Sequence, residues 1–580
     1  MTALRSMPAV SARPPCARGR RWAGAALFLL LLAVLFTAYL RLSRTYPENS
    51  DEANLLLMAS DWAHGNLYLS GWTVSDVPFI TTELPELALA VRLFGLHLNT
   101  AHIAAAFTYT VVVALALLLA ARGRRPVIRM AVAGTIMLAP QAGVGVFVLV
   151  FSVGHIGTAV PVLLAWLFLD RAQDRRRPRT VALVTGLLLA WALMADPLVL
   201  VIAAGPLLLV TAARSVTGIA VAGRTATGIS GGLPNGGWLR RSRHLLATRR
   251  LELSLALAAA VAYLVAWGGQ RLLRAAGGYV QQPVPWQLDP VSTWYAHSRT
   301  VAHGLLAMFG AYFLPGDGAG GLSEVLAVSR LACVALAAAG VLAAARCLVR
   351  RDADLVSQLL LTGLVANLAA YIPSSLADHT ALNAREFAPV LPFAAVLAAR
   401  MLGDRLGDWL GGSRARAAGL ALLLGWYSLG LGFQAAAAAA ANPLAGLESY
   451  LETHHLSYGI GGYWDASAIT VDTGGAVTIR AVTAGCLQPY AWESRASWYD
   501  PARQRATFLV TSAGPGYFSR WVASPASLRQ LAALVPAAGP VLTPGSAKGR
   551  SAGGQPPGSG DQVRVYQGNV LAALPHLTHC

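Results

Sequence analysis

The sequence predicts an α-helical polytopic membrane protein with a small α/β domain on the outer face, and three observations predict it. Hydrophobic residues fill 55% of the 580 positions and charged residues only 12%, about half the ~25% of an ordinary globular chain. The apolar residues fall in runs long enough to cross a bilayer, and bursts of arginine separate those runs. A soluble enzyme, a coiled coil or a disordered scaffold could not hide so much apolar surface from water.

The formal net charge of +18 would suit a nucleic-acid surface if the basic residues shared one soluble face. They do not. Lys548 is the sole lysine, and the arginines cluster at Arg18 to Arg21, Arg122 to Arg125, Arg175 to Arg179, Arg240 to Arg243, Arg346 to Arg351 and Arg400 to Arg416. The charge is topological, and no nucleic-acid partner is expected.

Measured against the roughly 20 residues that a bilayer-crossing helix needs, the runs place spans near 23–40, 101–121, 127–149, 152–169, 180–195, 197–213, 251–268, 324–345, 355–373, 386–402 and 417–440, about eleven in all. The first reads as a retained helix, because its apolar stretch is long and Thr37 to Arg41 offers no small-x-small cleavage site. Arginine-rich short loops stay in the cytoplasm. With residues 1–22 as a cytoplasmic tail, strict alternation puts every arginine burst inside and the C-terminus outside. The transmembrane domain then covers 23–442, with outer loops at 41–100 and 269–323 and a flexible cytoplasmic loop at 214–250. No internal repeat of fixed period is visible, which disfavours a transporter built on inverted repeats.

Residues 443–580 change character and read as an outer mixed α/β domain, with a disordered insertion at 535–560 rich in Pro and Gly. Strands are expected at Ser457 to Trp464, Ala468 to Val471, Ala476 to Arg480, Thr507 to Thr511 and Gln562 to Tyr566. Five cysteines are too few for a disulfide framework. Cys486 and Cys580 share the outer domain, and their pairing is left open.

Chemistry is expected where acids meet the apolar bundle. Asp51 and Glu52 follow the first span, and adjacent carboxylates there are costly to desolvate. The plain alternative is that they open an interfacial helix through Ala53 to Trp62 with Ser50 as N-cap. The two readings are compatible. His155 and Asp196 fall at outer turns, Gly154-His155 and Asp196-Pro197, where they could meet a substrate, although Asp before Pro also forms turns. Trp286 and Trp294 read as the aromatic belt of the membrane surface.

Asp51-Glu52-Ala53 through Leu56, Met58-Ala59, Gly65-Asn66, then Thr81-Thr82-Glu83-Leu84-Pro85 and Leu87 to Gly95, together resemble the first outer loop of GT-C glycosyltransferases, the polytopic enzymes akin to protein O-mannosyltransferases and aminoarabinose transferases. Arg385-Glu386-Phe387-Ala388-Pro389-Val390-Leu391-Pro392 resembles the arginine-aromatic-proline entry to a late helix of that family, and Tyr463-Trp464 its bacterial outer domain. The resemblance implies transfer of a sugar, with inversion, from a polyprenyl-phosphate donor to an extracytoplasmic acceptor at the outer face of a bacterial plasma membrane. It makes Asp51 the general base, with Glu52 beside it, and Glu83 a second carboxylate that either meets substrate or helps hold a divalent cation. Metal dependence stays open. Arg385 is expected on the leaving phosphate, because guanidinium forms paired hydrogen bonds to phosphate oxygens, and its plain alternative is a snorkelling interfacial arginine. Tyr463 and Trp464 are expected to stack on sugar or lipid. The rival classes are a transporter or flippase, which would carry ionisable residues at mid-bilayer depth, and a noncatalytic envelope-assembly protein whose loop acids serve only as caps.

Overall fold

A computed structural model describes residues 16–47, 49–138, 140, 142–172, 178–227, 250–313, 321–377, 381–512, 521, 523–542 and 561–577. The helices are α1 (Cys16–Ser43), α2 (Ser50–Ala63), α3 (Glu83–Phe94), α4 (Leu98–Ala120), α5 (Pro126–Met137), α6 (Val144–Leu149), α7 (Ala159–Ala172), α8 (Pro178–Ala195), α9 (Gly205–Thr227) and α10 (Arg250–Ala275). They continue as α11 (Trp294–Met308), α12 (Leu322–Arg350), α13 (Leu355–Tyr371), α14 (Val390–Gly411), α15 (Arg414–Ala435), α16 (Ala445–Thr453), α17 (Tyr463–Asp472), α18 (Pro525–Leu534) and α19 (Val570–Ala573).

Every expected span overlaps a helix, but the described residues contain six helices long and apolar enough to cross a membrane: Trp22–Ser43 of α1, α4, α8, α10, α12 and α15. The expected span at 127–149 is two pieces, α5 and α6. Gly143 opens α6 with φ +85°, a left-handed conformation that favours glycine. The carbonyls at the end of α5 are met from α12, where Arg330 donates to the oxygens of Thr135 and Leu138. A charged cross-helix cap therefore stabilises a break that hydropathy does not register.

One large apolar core joins α1 through α15. Much of α1 faces outward, with Leu27, Leu29 and Leu30 exposed, as suits a helix that borders lipid.

The strands are β1 (Trp72–Val74), β2 (Val280–Gln281), β3 (Tyr458–Gly461), β4 (Thr478–Ala481), β5 (Ser494–Arg495), β6 (Phe508–Ser512) and β7 (Asp561–Val565). The C-terminal sheet has the order β4-β3-β6-β7, with β3 parallel to both neighbours and β7 antiparallel to β6. Residues 468–471, expected as a strand, belong to α17. Parallel neighbours β3 and β4 need a crossover, and α17 is that crossover, burying Ala466, Ile469 and Thr470. Residues Ala537 and Leu542 bridge to Tyr566 and Val563, so the first part of the expected insertion runs beside β7. Residues 543–560, the stretch 228–249, and Asp378, His379 and Cys580 lie outside the described residues. Cys486 is disulfide-bonded.

A second, small sheet, β2-β1-β5, stitches three distant parts of the chain together. Strand β1 comes from the loop after α2, β2 from the segment after α10, and β5 from the C-terminal domain. Asp61 of α2 reinforces this junction, accepting from Trp72 Nε1 at 2.8 Å and pairing with Arg495 Nη1 at 3.0 Å. The C-terminal domain is thereby fixed over the mouth of the bundle.

Candidate active site

The site begins with the start of α2. Asn49, one residue before the expected Ser50, is the N-cap, and its side-chain oxygen accepts from Asp51 N at 2.9 Å. Ser50 has another use: its hydroxyl accepts from Ser467 N and Ala468 N at 3.2 and 3.3 Å. That contact seats α17 on α2 and brings Tyr463 over Asp51, with Tyr463 Oη donating to Asp51 Oδ1 at 2.7 Å.

Adjacent residues of a helix point about 100° apart, and Asp51 and Glu52 separate accordingly. Asp51 lines a cavity of about 470 Å³ between the bundle and the C-terminal domain. Glu52 is fully buried and accepts from Ser152 N and Oγ at 3.2 and 3.1 Å. The described cavity is lined by Asp51 and not by Glu52, so Glu52 holds the 152 loop against α2.

Arg385 lies in the short 3-10 helix Ala381–Phe387 ahead of α14. Its Nη1 is 3.2 Å from Asp51 Oδ2, and its Nε is 3.9 Å from Glu386 Oε1. Burial disfavours the guanidinium charge, but Asp51 and Glu386 more than offset that and raise its pKa. This arginine faces carboxylates in the cavity and does not snorkel to lipid.

His155 joins a second carboxylate chain in the same cavity. Its Nδ1 lies 2.7 Å from Asp196 Oδ2 and its Nε2 2.8 Å from Glu386 Oε2. Both acids precede helices that begin later in the chain, and His155 precedes α7. Burial opposes charge on the imidazole, yet Asp196 and then Glu386 hold its pKa well above the ordinary histidine value. The resulting imidazolium outweighs burial at Asp196 and Glu386 and depresses both. Asp196 also accepts from Thr158 Oγ1 at 2.6 Å and Leu198 N at 2.8 Å, so it is turn-former and ion-pair partner together.

Glu83 is placed apart. It starts α3, is buried, and lines a separate small space with Glu86, Thr108, Ser152 and Gly157. Burial pushes its carboxyl up to about 8. The side chain fills the gap between α3 and the 152–157 loop, where even a Cβ on Gly157 would collide with it.

Tyr463 and Trp464 both line the large cavity, their rings meeting edge to face at 5.2 Å. Sequence reasoning assigned no role to Asp76, Glu386 or Glu493, which line it too. Burial and the nearby Glu386 raise Asp76 to about 6. Glu493 follows Tyr490-Ala491-Trp492, a stretch whose local sequence does not mark it as a site. A smaller apolar cavity of about 160 Å³ adjoins, sharing Asp76, Val77, His155 and Glu386 and lined further by Trp286, Leu198 and Tyr371. Trp286 thus faces this recess as well as the surface. Among the described residues no group of three or more His, Cys, Asp or Glu is arranged to hold a metal ion. The cavity acids that make contacts already meet Arg385, His155 or Tyr463.

Fold and site together define a helical membrane protein with a buried acid–arginine centre beneath a small α/β domain. No protein-family model matches the chain, and no curated protein matches it. Among solved structures, ArnT from Cupriavidus metallidurans bound to undecaprenyl phosphate is similar, with a TM-score of 0.49 and 11% identity over 93% of this chain and 98% of that one. At that distance no residue is transferred from one chain to the other.

Proposed function

We propose that the chain is a membrane glycosyltransferase that moves a sugar from a polyprenyl-phosphate donor to a hydroxyl acceptor outside a bacterial plasma membrane, inverting the anomeric carbon. The observation that carries this reading is the Asp51–Arg385 pair at 3.2 Å, held in a cavity of about 470 Å³ that adjoins an apolar recess. The Asp51-Glu52-Ala53 resemblance supports it.

In this reading the resting ion pair is exchanged. A donor phosphate entering the cavity draws Arg385 to its oxygens and releases Asp51 Oδ2. The acceptor oxygen attacks the anomeric carbon, the bond from that carbon to the phosphate oxygen breaks, and Asp51 takes the acceptor proton. Polyprenyl phosphate leaves with the bonding electrons, its charge met by Arg385. The His155 chain fixes Glu386 beside Arg385, so the guanidinium moves on a rigid support.

The test is mass spectrometry of envelope glycans in a strain lacking the protein, complemented with wild type or Asp51→Asn. One sugar is expected to disappear, to return with wild type, and to stay absent with an inserted Asp51→Asn protein, a loss of roughly 10²-fold or more in turnover. Full restoration by Asp51→Asn removes Asp51 from the mechanism, and an unchanged envelope overturns the reading.

A further inference from the structure

A single phenol hydroxyl stands between two carboxylates. Tyr463 Oη is 2.7 Å from Asp51 Oδ1 and 3.0 Å from Glu493 Oε2, and both distances are those of real O–H···O bonds. A phenol has one proton to donate. The phenol proton can be given in full to only one of the two carboxylates, and a second full hydrogen bond at Tyr463 Oη needs a proton from the carboxyl side.

Geometry decides which acid supplies it. Asp51 already has a cationic partner, the Arg385 guanidinium at 3.2 Å. Glu493 is 2% exposed and, among the described residues, forms no ion pair of its own. Burial, and then the Asp51 charge, push its carboxyl up to about 8. Its placement is built in: Glu493 has φ +47°, unusual for a residue with a side chain. The conformation is held because the next two residues form β5 against β1 and Arg495 pairs with Asp61.

We propose that Glu493, acting through Tyr463, is the positioning residue that keeps Asp51 an ionised base. Glu493 holds the acid proton and donates it to the Tyr463 oxygen, and the Tyr463 O–H is thereby fixed on Asp51 Oδ1. Asp51 Oδ2 remains for the acceptor. During transfer the acceptor proton goes to Oδ2, the two bridge protons stay where they are, and Asp51 later returns its proton to water in the cavity. A neutral Glu493 also spares the leaving phosphate one more negative neighbour. The kinetic consequence rests on the glycosyltransferase reading, whereas the location of the proton does not.

As pH rises through about 8, Glu493 ionises and the phenol proton is contested by two carboxylates. The charged and titratable groups facing Glu493 are Asp51, Tyr463, Arg385 and Tyr490, with the Ser75 hydroxyl beside it. Activity is expected to fall along that alkaline limb.

Two measurements test this on the full-length protein. The first is the infrared difference spectrum of wild type minus Glu493→Gln with ¹³C-labelled glutamate. It is expected to show the carbonyl band of a protonated carboxylic acid at neutral pH, fading as pH rises through about 8; absence of the band overturns the proposal. In the second, Glu493→Ala is expected to lower kcat roughly 10- to 100-fold with little change in donor KM. Glu493→Gln, whose amide still donates to Tyr463, restores most of the rate and removes the alkaline limb. Equal loss in the two variants, or an unchanged limb in Glu493→Gln, also overturns it. Should the band appear while no donor sugar is transferred by wild type, the proton is placed correctly and the transferase reading fails.

Discussion

The two ends of the bundle use the same chemistry, arginine against carboxylate, to opposite effect. At the end away from the C-terminal domain, Arg400 donates Nε to Ser357 Oγ, Nη1 to the Leu119 carbonyl, and Nη2 to both Asp170 and Asp354 at 2.9 Å. Nearby, Arg129 Nη2 meets Asp404 at 2.7 Å and Arg125 meets Asp408 at 3.2 Å. These arginines are spent on joining α4, α5, α7, α13 and α14. Beneath the C-terminal domain, Arg385 reaches Asp51 through one nitrogen and lines an open cavity in which acids outnumber cations. A saturated ion pair is a staple, and an ion pair that borders a cavity can be exchanged for a ligand.

The sharpest way to break this comparison is Arg400→Ala. It takes from the buried Asp170 its closer partner, leaving Arg122 at 3.6 Å, and leaves the half-exposed Asp354 without its cation, a loss of about 3 kcal/mol in stability. Thermal unfolding in detergent is expected to show a large drop, with turnover per folded molecule preserved. A fold as stable as wild type would mean that the pairs at this end are not staples.

Arg385→Ala should do the reverse. Removing it leaves Asp51 its Tyr463 bond and a cavity that admits water, so the melting temperature is expected to change little. Donor use is expected to fall by roughly 10²-fold in kcat/KM if Arg385 makes the proposed charge-assisted bond to phosphate, and acceptor KM to move much less. Equal loss toward donor and acceptor would argue against a phosphate contact.

These contrasts also explain what the sequence reveals and what it hides. Apolar runs and arginine bursts are one-dimensional signals, and each expected span overlaps a helix, although the 127–149 span is two. The break between α5 and α6 is invisible because its stabiliser, Arg330, is nearly 200 positions away in the chain. Asp51 and Arg385 were legible because each belongs to a motif at the edge of an apolar run. Glu52 shares Asp51's motif, but adjacent helix positions diverge, and only the three-dimensional bundle shows which of the two meets the cavity. Glu493 was hidden for a different reason. Its position depends on β5 pairing with β1 across more than 400 residues, a contact that no local pattern announces.

The smallest effect, and the finest test, concerns Glu83, an acid buried outside both clusters. Its carboxyl titrates at about 8 in the folded chain, above the ordinary 4.5. A raised carboxylate pKa means that the folded state binds the proton more tightly than the unfolded one. Its stabilising contribution is therefore complete below pH 4.5 and is lost as pH rises through about 8. Glu83→Gln keeps the shape and cannot ionise, so it is expected to melt close to wild type at pH 4 and to gain on it steadily between pH 4.5 and 8, standing several degrees above it at pH 9. Turnover at pH 6 is expected to stay near wild type, because Glu83 borders the gap between α3 and the 152–157 loop and not the large cavity. A loss of transfer at pH 6 as deep as that of Asp51→Asn would move Glu83 into the reaction and dissolve the distinction between the acids that line the cavity and the acid that merely fills the bundle.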